Sequence, residues 1–280
     1  MRTSSSPSGP SVIDGLSIRS LLQLGTGVGP VLGIDTGTPN ASLGIVSQGR
    51  VTAVLARPLQ SHCAGLPAAV SEILDAAEIS LDQLAAVAVA IGPGSFTGLR
   101  IGLSYAKGLA LARRLSIVGA STLDAMALCA LGARPAEGAT ICPVIDARRG
   151  EVYAALYRFV GDALERTSDD MALPLVDLVV GIAGEAAFVG DSKAAEACSL
   201  AGARGCRAIA LGGAELNLRG SFAAAIGAAR LARNQTDNPA SLEPLYVRAP
   251  GVSARPPSTP VGEKLHGTAR GRIDPSASGA

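Results

Sequence analysis

The chain has 280 residues, 48% hydrophobic and 17% charged, enough for one large domain or two small ones around a sizeable core. Its net charge of +1 argues against a chain that grips nucleic acid by itself, which needs a basic balance or stripe. The longest apolar runs, such as LAAVAVAI from Leu84 to Ile91, fall well short of the roughly 18 residues of a membrane span. The start MRTSSSPSGP lacks the apolar stretch of a secretory signal. Cys63, Cys129, Cys142, Cys198 and Cys206 form no CxxC pair and read as small buried apolar residues in a reducing compartment. A cytoplasmic protein is the expectation.

Residues 1–30 are rich in Ser, Gly and Pro and read as a disordered extension or an upstream start assigned in error. VLGIDTGTPNASLGIV then predicts strand, turn, strand, and VTAVLARPL a third strand. Cys63, Leu66, Val70, Ile73, Leu74 and Ala77 recur at helical spacing, with Ser61 placed to cap that helix and Pro67 placed to kink or break it. AAVAVAIG is apolar on both faces, as a buried parallel strand is. A glycine loop and a long helix follow, then a short strand (LSIVGAS) and a helix (TLDAMALCALG).

The pattern then restarts. ICPVIDARRGEVYAALY again reads strand, turn, strand, and its Asp146 stands 111 residues (146 minus 35) after Asp35. Helix, strand (AAFVGD), helix (KAAEACSLAG), a short strand near Ala208–Leu211 and a last helix (SFAAAIGAARLARN) complete it. A repeat of this size predicts two α/β lobes of one design, 31–125 and 126–250, with a Pro- and Ser-rich disordered tail over 251–280.

Three stretches bear on chemistry. In GIDTGTPN, Asp35, Thr36, Gly37 and Thr38 form a turn fit to seat a phosphate, with the carboxylate able to hold a hydrated Mg²⁺; taken alone, a plain hairpin turn is the preferred reading. In the second copy, IDARRGEV, Arg148 and Arg149 stand where a close-approach loop wants glycine, which weakens a two-sided phosphate clamp. The third is IGPGSFTGLRIG, Ile91–Gly102, which is neither a Walker A loop nor a dinucleotide fingerprint. It offers Ser95 as an N-cap, and Gly98, Gly102, Ala106 and Ala110 as a strip of minimal side chains that lets another element come close, inside the fold or from another chain. Of the two histidines, His62 is followed four residues later by Leu66, so no two-histidine helix site for metal can form. LGGAELNLRG, Leu211–Gly220, reads as a helix-entry turn in preference to an adenosine cradle.

IDTGTPNASLGIV, IGPGSFTGLRIGLSYAKGLAL, GASTLDAMA, VIDARRGEVYAALY and LEPLYVR, in this order, resemble the TsaB (YeaZ) family over about residues 31 to 255. The resemblance implies two duplicated lobes of the actin-like or sugar-kinase-like ATPase fold. It also implies a non-catalytic scaffold subunit for tRNA N6-threonylcarbamoyladenosine formation, pairing with the TsaD catalytic subunit, supporting the TsaE ATPase and able to form homodimers. On that reading the chain carries no catalytic residue, metal or cofactor of its own; ATP is used by the complex, tRNA is reached only through it, and no membrane is involved. The partner face falls on the long helix and the helix before it, at His62, Ser95, Thr97, Gly98, Arg100, Gly102, Tyr105 and Ala106. Asp35, Thr36, Gly37, Thr38 and Asp146 become a vestigial phosphate loop. The enzyme alternative is an actin-fold ATPase or phosphotransferase using Asp35 and Asp146 with Mg²⁺. A direct tRNA-binding module needs a basic, aromatic-bearing surface, in a chain with no Trp and 3% aromatics.

Overall fold

The computed structural model describes Ile13, residues 15–58 and residues 62–247, without the side chains of Leu16 and residues 62–64. The expectations for residues 1–12, for Ser61 and for the 251–280 tail lie outside the described residues. The chain enters through β1 (Leu16–Ser17) and α1 (Ile18–Leu24), then a hairpin and third strand, β2 (Val31–Asp35), β3 (Asn40–Ser47) and β4 (Arg50–Pro58). Next come α2 (His62–Ala76), β5 (Ala86–Gly92), α3 (Phe96–Arg113), β6 (Ser116–Ser121) and α4 (Thr122–Cys129). These strands make one sheet in the order β4-β3-β2-β5-β6, antiparallel through β2 and parallel beyond it.

The second half repeats the plan. It runs through β7 (Thr140–Arg148), β8 (Glu151–Ala154), β9 (Tyr157–Val160), β10 (Ala163–Arg166) and β11 (Met171–Pro174). It continues with α5 (Leu175–Val180), β12 (Glu185–Gly190), α6 (Ser192–Ala203), β13 (Arg207–Leu211) and α7 (Arg219–Ala232). The path β11-β8-β7-β12-β13 has the strand order and directions of the first sheet. The expected pair of like α/β lobes is therefore present. The hairpin β9–β10 is an addition, and β1 pairs with β10 at its edge.

Three apolar cores fill this frame. Leu32, Ile34, Val87 and Val89 face α2 and α3 with Leu66, Val70, Ile73, Leu103 and Ala106. Cys142, Val144, Phe188 and Ala197 form the matching outer core of the second lobe with α5 and α6. Between the two sheets lie α1, α4 and α7, with Leu21, Met126, Ala224 and Ala228 buried. Period-two alternation sorts the faces: Val87 and Val89 point outward, Ala86 and Ala88 inward, where α7 presses on the sheet. A Cβ on Gly33 would stand 2.0 Å from the Gly220 carbonyl oxygen, so this contact is backbone on backbone and admits only glycine.

Two boundaries differ from the sequence reading. Ile13 and Leu21 are fully buried, and β1 and α1 join the fold, so the extension expected over residues 1–30 is structured from residue 15 onward. Ser and Gly there are capping and turn residues: the Ser17 hydroxyl caps α1 by accepting the Ser20 N–H. Residues 219–247 do not stay with the lobe assigned to 126–250. Every residue of α7 from Arg219 to Ala229 is buried, and the helix packs on β2, β3, β5 and β6 of the first lobe. A helix buried all round needs cover on every side, which α7 finds in the first sheet on one face and in α1 and α4 on the other. Helix α2 runs from His62 to Ala76 through Pro67 without the break expected there, although a proline in the second turn forgoes one i→i−4 bond. No helix among the described residues is long and apolar enough to cross a membrane.

Candidate functional site

The Asp35 turn connects β2 to β3 and sits against the N-terminus of α3. Asp35 is fully buried. Its Oδ1 accepts the Gly37 N–H at 2.8 Å and its Oδ2 accepts Arg219 Nε–H at 3.0 Å. The Arg219 guanidinium, 3% exposed, also donates to Thr38 Oγ1 at 2.6 Å, to the Asn40 carbonyl at 2.7 Å and to the Leu216 carbonyl at 2.8 Å. Five donors in a planar fork let one arginine tie the whole hairpin turn to the start of α7. Sequence reading gave Arg219 no role of its own, although it lies within the Leu211–Gly220 helix-entry stretch, two residues before the last helix assigned from Ser221.

The glycine loop closes on the same turn. The Ser95 N–H donates to the Gly37 carbonyl at 2.7 Å, and Thr36 Oγ1 donates to the Gly98 carbonyl at 2.8 Å. A Cβ on Gly98 would lie 2.0 Å from the Thr36 carbonyl oxygen, and one on Gly102 would lie 2.2 Å from Thr36 Oγ1. The small-residue strip is thus a close-approach surface, as its spacing indicates, but the element approaching it is the chain's own hairpin turn. This corrects the assignment of Gly98, Gly102 and Ala106 to a partner face: with Ala110, all are buried inside the first lobe.

The other residues expected on that face divide. Ser95 is exposed, and its hydroxyl accepts the Gly98 N–H at 3.2 Å as the N-cap of α3. Thr97 and Arg100 are exposed; Tyr105 is half-buried against the outer core, where burial pushes its phenol pKa up. The His62 side chain lies outside the described residues. Beside Arg100 the helix exposes Phe96 at 43% and Leu111 at 70%. Ser104 and Gly108 lie between them on the same exposed stripe.

In the second lobe, Asp146 Oδ1 accepts the Arg148 N–H at 2.8 Å, and Oδ2 stands 3.5 Å from Arg148 Nη1. Arg148, Arg149 and Gly150 have φ of 67°, 57° and 81°, so two arginines adopt the left-handed conformation that glycine takes most easily. Asp146 is bound up in its own turn, as Asp35 is in its own. The actin-like resemblance of the sequence leads to the expectation of a Mg²⁺–nucleotide at such turns, and the residues here do not fit one. Both oxygens of Asp35 are engaged and its charge is neutralised by a buried guanidinium. The buried Thr122 hydroxyl lacks a hydrogen-bond partner among the described residues, but one hydroxyl is too small a donor set for a hydrated cation. Among the described residues no group of three or more His, Cys, Asp or Glu side chains could hold a metal ion. The Leu211–Gly220 stretch enters α7 through a single 3₁₀ turn, Glu215–Leu218, as the helix-entry reading has it.

Comparison with known proteins agrees with this geometry. The family model described as TsaD: tRNA N6-adenosine threonylcarbamoyltransferase matches residues 58–226. The chain is 42% identical over 129 residues to the tRNA threonylcarbamoyladenosine biosynthesis protein TsaB of Escherichia coli (strain K12), covering 46% of this chain and 54% of that protein. It is 33% identical over 148 residues to the protein of the same name from Bacillus subtilis (strain 168), covering 52% and 63%. The chain thus spans between half and two thirds of these relatives' lengths. The solved structure of YeaZ from Pseudomonas aeruginosa superposes with a TM-score of 0.60 at 25% identity, over 79% of this chain and all of that one. With its duplicated sheets, its glycine loop folded onto the Asp35 turn and these relatives, the chain belongs to the TsaB (YeaZ) family, within the wider group that the TsaD model describes.

Proposed function

We propose that this chain is a non-catalytic scaffold subunit for tRNA N6-threonylcarbamoyladenosine formation, working in the cytoplasm. It pairs with a TsaD catalytic subunit and, through that pair, supports the TsaE ATPase. It holds no cofactor itself, ATP is used by the assembled complex, and tRNA is met only there. The observation that carries this reading is the Arg219–Asp35 ion pair, which consumes the carboxylate that a nucleotide-using member of the fold would need. Family membership supports the pathway. The exposed stripe Phe96, Arg100, Leu111 on α3 supports a protein partner, since large apolar side chains left in water on one helix face mark interaction sites. The ATPase alternative would require Asp35 and Asp146 to be available to Mg²⁺, whereas Asp35 is engaged by Arg219 and the Gly37 N–H, and Asp146 by Arg148.

The test is titration of the purified chain with the TsaD homologue of the same genome, and separately with Mg²⁺ and ATP, by calorimetry. Pairing with the protein and no heat from the nucleotide is expected. Nucleotide binding without protein pairing would reverse the assignment.

A further inference from the structure

The last described segment, residues 234–247, runs back over the first lobe as a strap. Asp237 anchors it at one end: its N–H donates to the Ile117 carbonyl at 2.9 Å, and its carboxylate accepts the Gly119 N–H at 2.7 Å and both terminal nitrogens of Arg230 at 3.0 Å. Leu242 packs on the outer core, and the Leu245 N–H donates to the Ile91 carbonyl at 2.8 Å. The strap therefore delivers Tyr246 to the N-terminal end of α3. There Arg100 Nε donates to the Tyr246 hydroxyl at 3.1 Å, and the guanidinium carbon lies 3.8 Å over the Phe96 ring centroid. The Phe96 and Tyr246 rings stand 5.5 Å apart, tilted by 31°.

This is an arginine held in place at an exposed position. A surface arginine ordinarily gives up much rotamer freedom when it binds a partner. Here stacking on Phe96 and the bond to Tyr246 have fixed its direction in advance, which lowers that cost. Its two terminal NH₂ groups have no partner among the described residues and form the half of the guanidinium fork that matches a carboxylate. The rest of α3 agrees in sign. FTGLRIGLSYAKGLALAR contains Arg100, Lys107 and Arg113 and no acid, and of these only Arg113 is ion-paired among the described residues, to Asp82 at 2.8 Å.

We propose that Arg100 is a specificity-determining contact that receives a carboxylate from an apolar helix of the partner subunit, and that the strap, through Tyr246, is the device that positions it. This rests on the scaffold reading above. It assigns a chemistry to the α3 face, acidic against basic within an apolar stripe, and it makes pairing depend on a segment that lies outside the helices.

The test measures affinity for the TsaD homologue at two salt concentrations, using the whole chain and its Arg100→Ala, Arg100→Lys and Tyr246→Phe variants. Arg100→Ala should weaken pairing about 30-fold and flatten its salt dependence, because a desolvated charge contact is lost. Arg100→Lys should weaken it about tenfold, since lysine keeps the charge but not the fork. Tyr246→Phe keeps the ring and removes the acceptor; one hydrogen bond's worth of positioning predicts about a fivefold loss with the salt dependence retained. The free variants should melt within about 2 °C of the parent, since Arg100 is exposed and Tyr246→Phe keeps the partly buried ring. Parent protein that pairs while all three variants pair equally well would overturn the Arg100 assignment and leave the scaffold reading standing. A parent that does not pair defeats both. Variants that loosen only self-association would make this a contact between copies of the chain and would likewise overturn the proposal.

Discussion

Asp35 and Arg219 are 184 residues apart in sequence and joined by a hydrogen-bonded ion pair of 3.0 Å that water does not reach. Removing one member leaves the other charged and buried, which costs far more than the pair itself contributes. Asp35→Ala and Arg219→Ala should each destabilise the protein by about 3–5 kcal/mol. Replacing both, as Asp35→Leu with Arg219→Met, should recover part of that loss, because no orphan charge remains. Denaturant unfolding of the two single variants and the double variant measures this. Single variants as stable as the parent would show that the pair does not carry the turn.

Gly98 and Gly108 lie on one helix and should respond oppositely to alanine. A Cβ at Gly98 meets the Thr36 carbonyl at 2.0 Å, whereas nothing stands within 4 Å of one at Gly108. Gly98→Ala should cost about 1–3 kcal/mol by overpacking, despite alanine's better helix propensity. Gly108→Ala should gain up to about 1 kcal/mol from that propensity alone. Gly102→Leu belongs with Gly98: it should lower the melting temperature of the free protein and leave the partner affinity of the folded fraction near the parent's. Thermal melts of the three variants decide the matter, and equal effects at Gly98 and Gly108 would contradict the packing described.

Much of this was legible in the sequence, and what was not has identifiable causes. The two hairpins, the buried parallel strand VAVAI and the Ser95 cap follow from alternation, apolar runs and cap chemistry, all of which are local. The strip Gly98, Gly102, Ala106 announced a close approach, but periodicity gives spacing and not direction, so it could not say whether the neighbour was another chain or Thr36. Arg219 gave no signal, because its partner is 184 residues distant and a lone arginine before a helix reads as a solvated charge. The strands β9 and β10 were hidden in a short stretch broken by Asp162, whose neighbours alternate too briefly for a period to show. The order of residues 15–30 was obscured by a composition that serves caps and turns as readily as disorder.

On the exposed face of α3, Leu111 offers a test that is independent of charge. It is 70% exposed, so Leu111→Ser should leave the free protein's unfolding within about 0.5 kcal/mol of the parent. If it is covered on pairing, the same change should weaken TsaD binding about tenfold, the loss expected for truncating an apolar anchor. Surface plasmon resonance alongside a thermal melt separates these. Unchanged affinity would move the interface off this stripe.

Cys129 is buried in the core between the sheets, and burial pushes its thiol pKa up to about 12. In the unfolded chain a thiol ionises nearer 9. Between those values the unfolded state has released a proton that the folded state retains, so stability falls as pH rises through that window and is unaffected by this group below it. Cys142, shifted in the same direction by burial, adds to the slope. Unfolding free energies at pH 8, 9 and 10 should decline for the parent and decline less for Cys129→Ala, each compared with its own value at the lowest pH. Parallel pH profiles would contradict the burial of that thiol.

We propose that this chain enables a reaction that it does not itself perform. This is tested most directly by counting N6-threonylcarbamoyladenosine in tRNA, by mass spectrometry of digested nucleosides, after reaction with the TsaD and TsaE homologues of the same genome, ATP and the remaining substrates. Modification should appear when this chain is present, fall to background when it is left out, and be absent when it is the only protein added. Modification by this chain alone, or undiminished modification without it, would contradict the account.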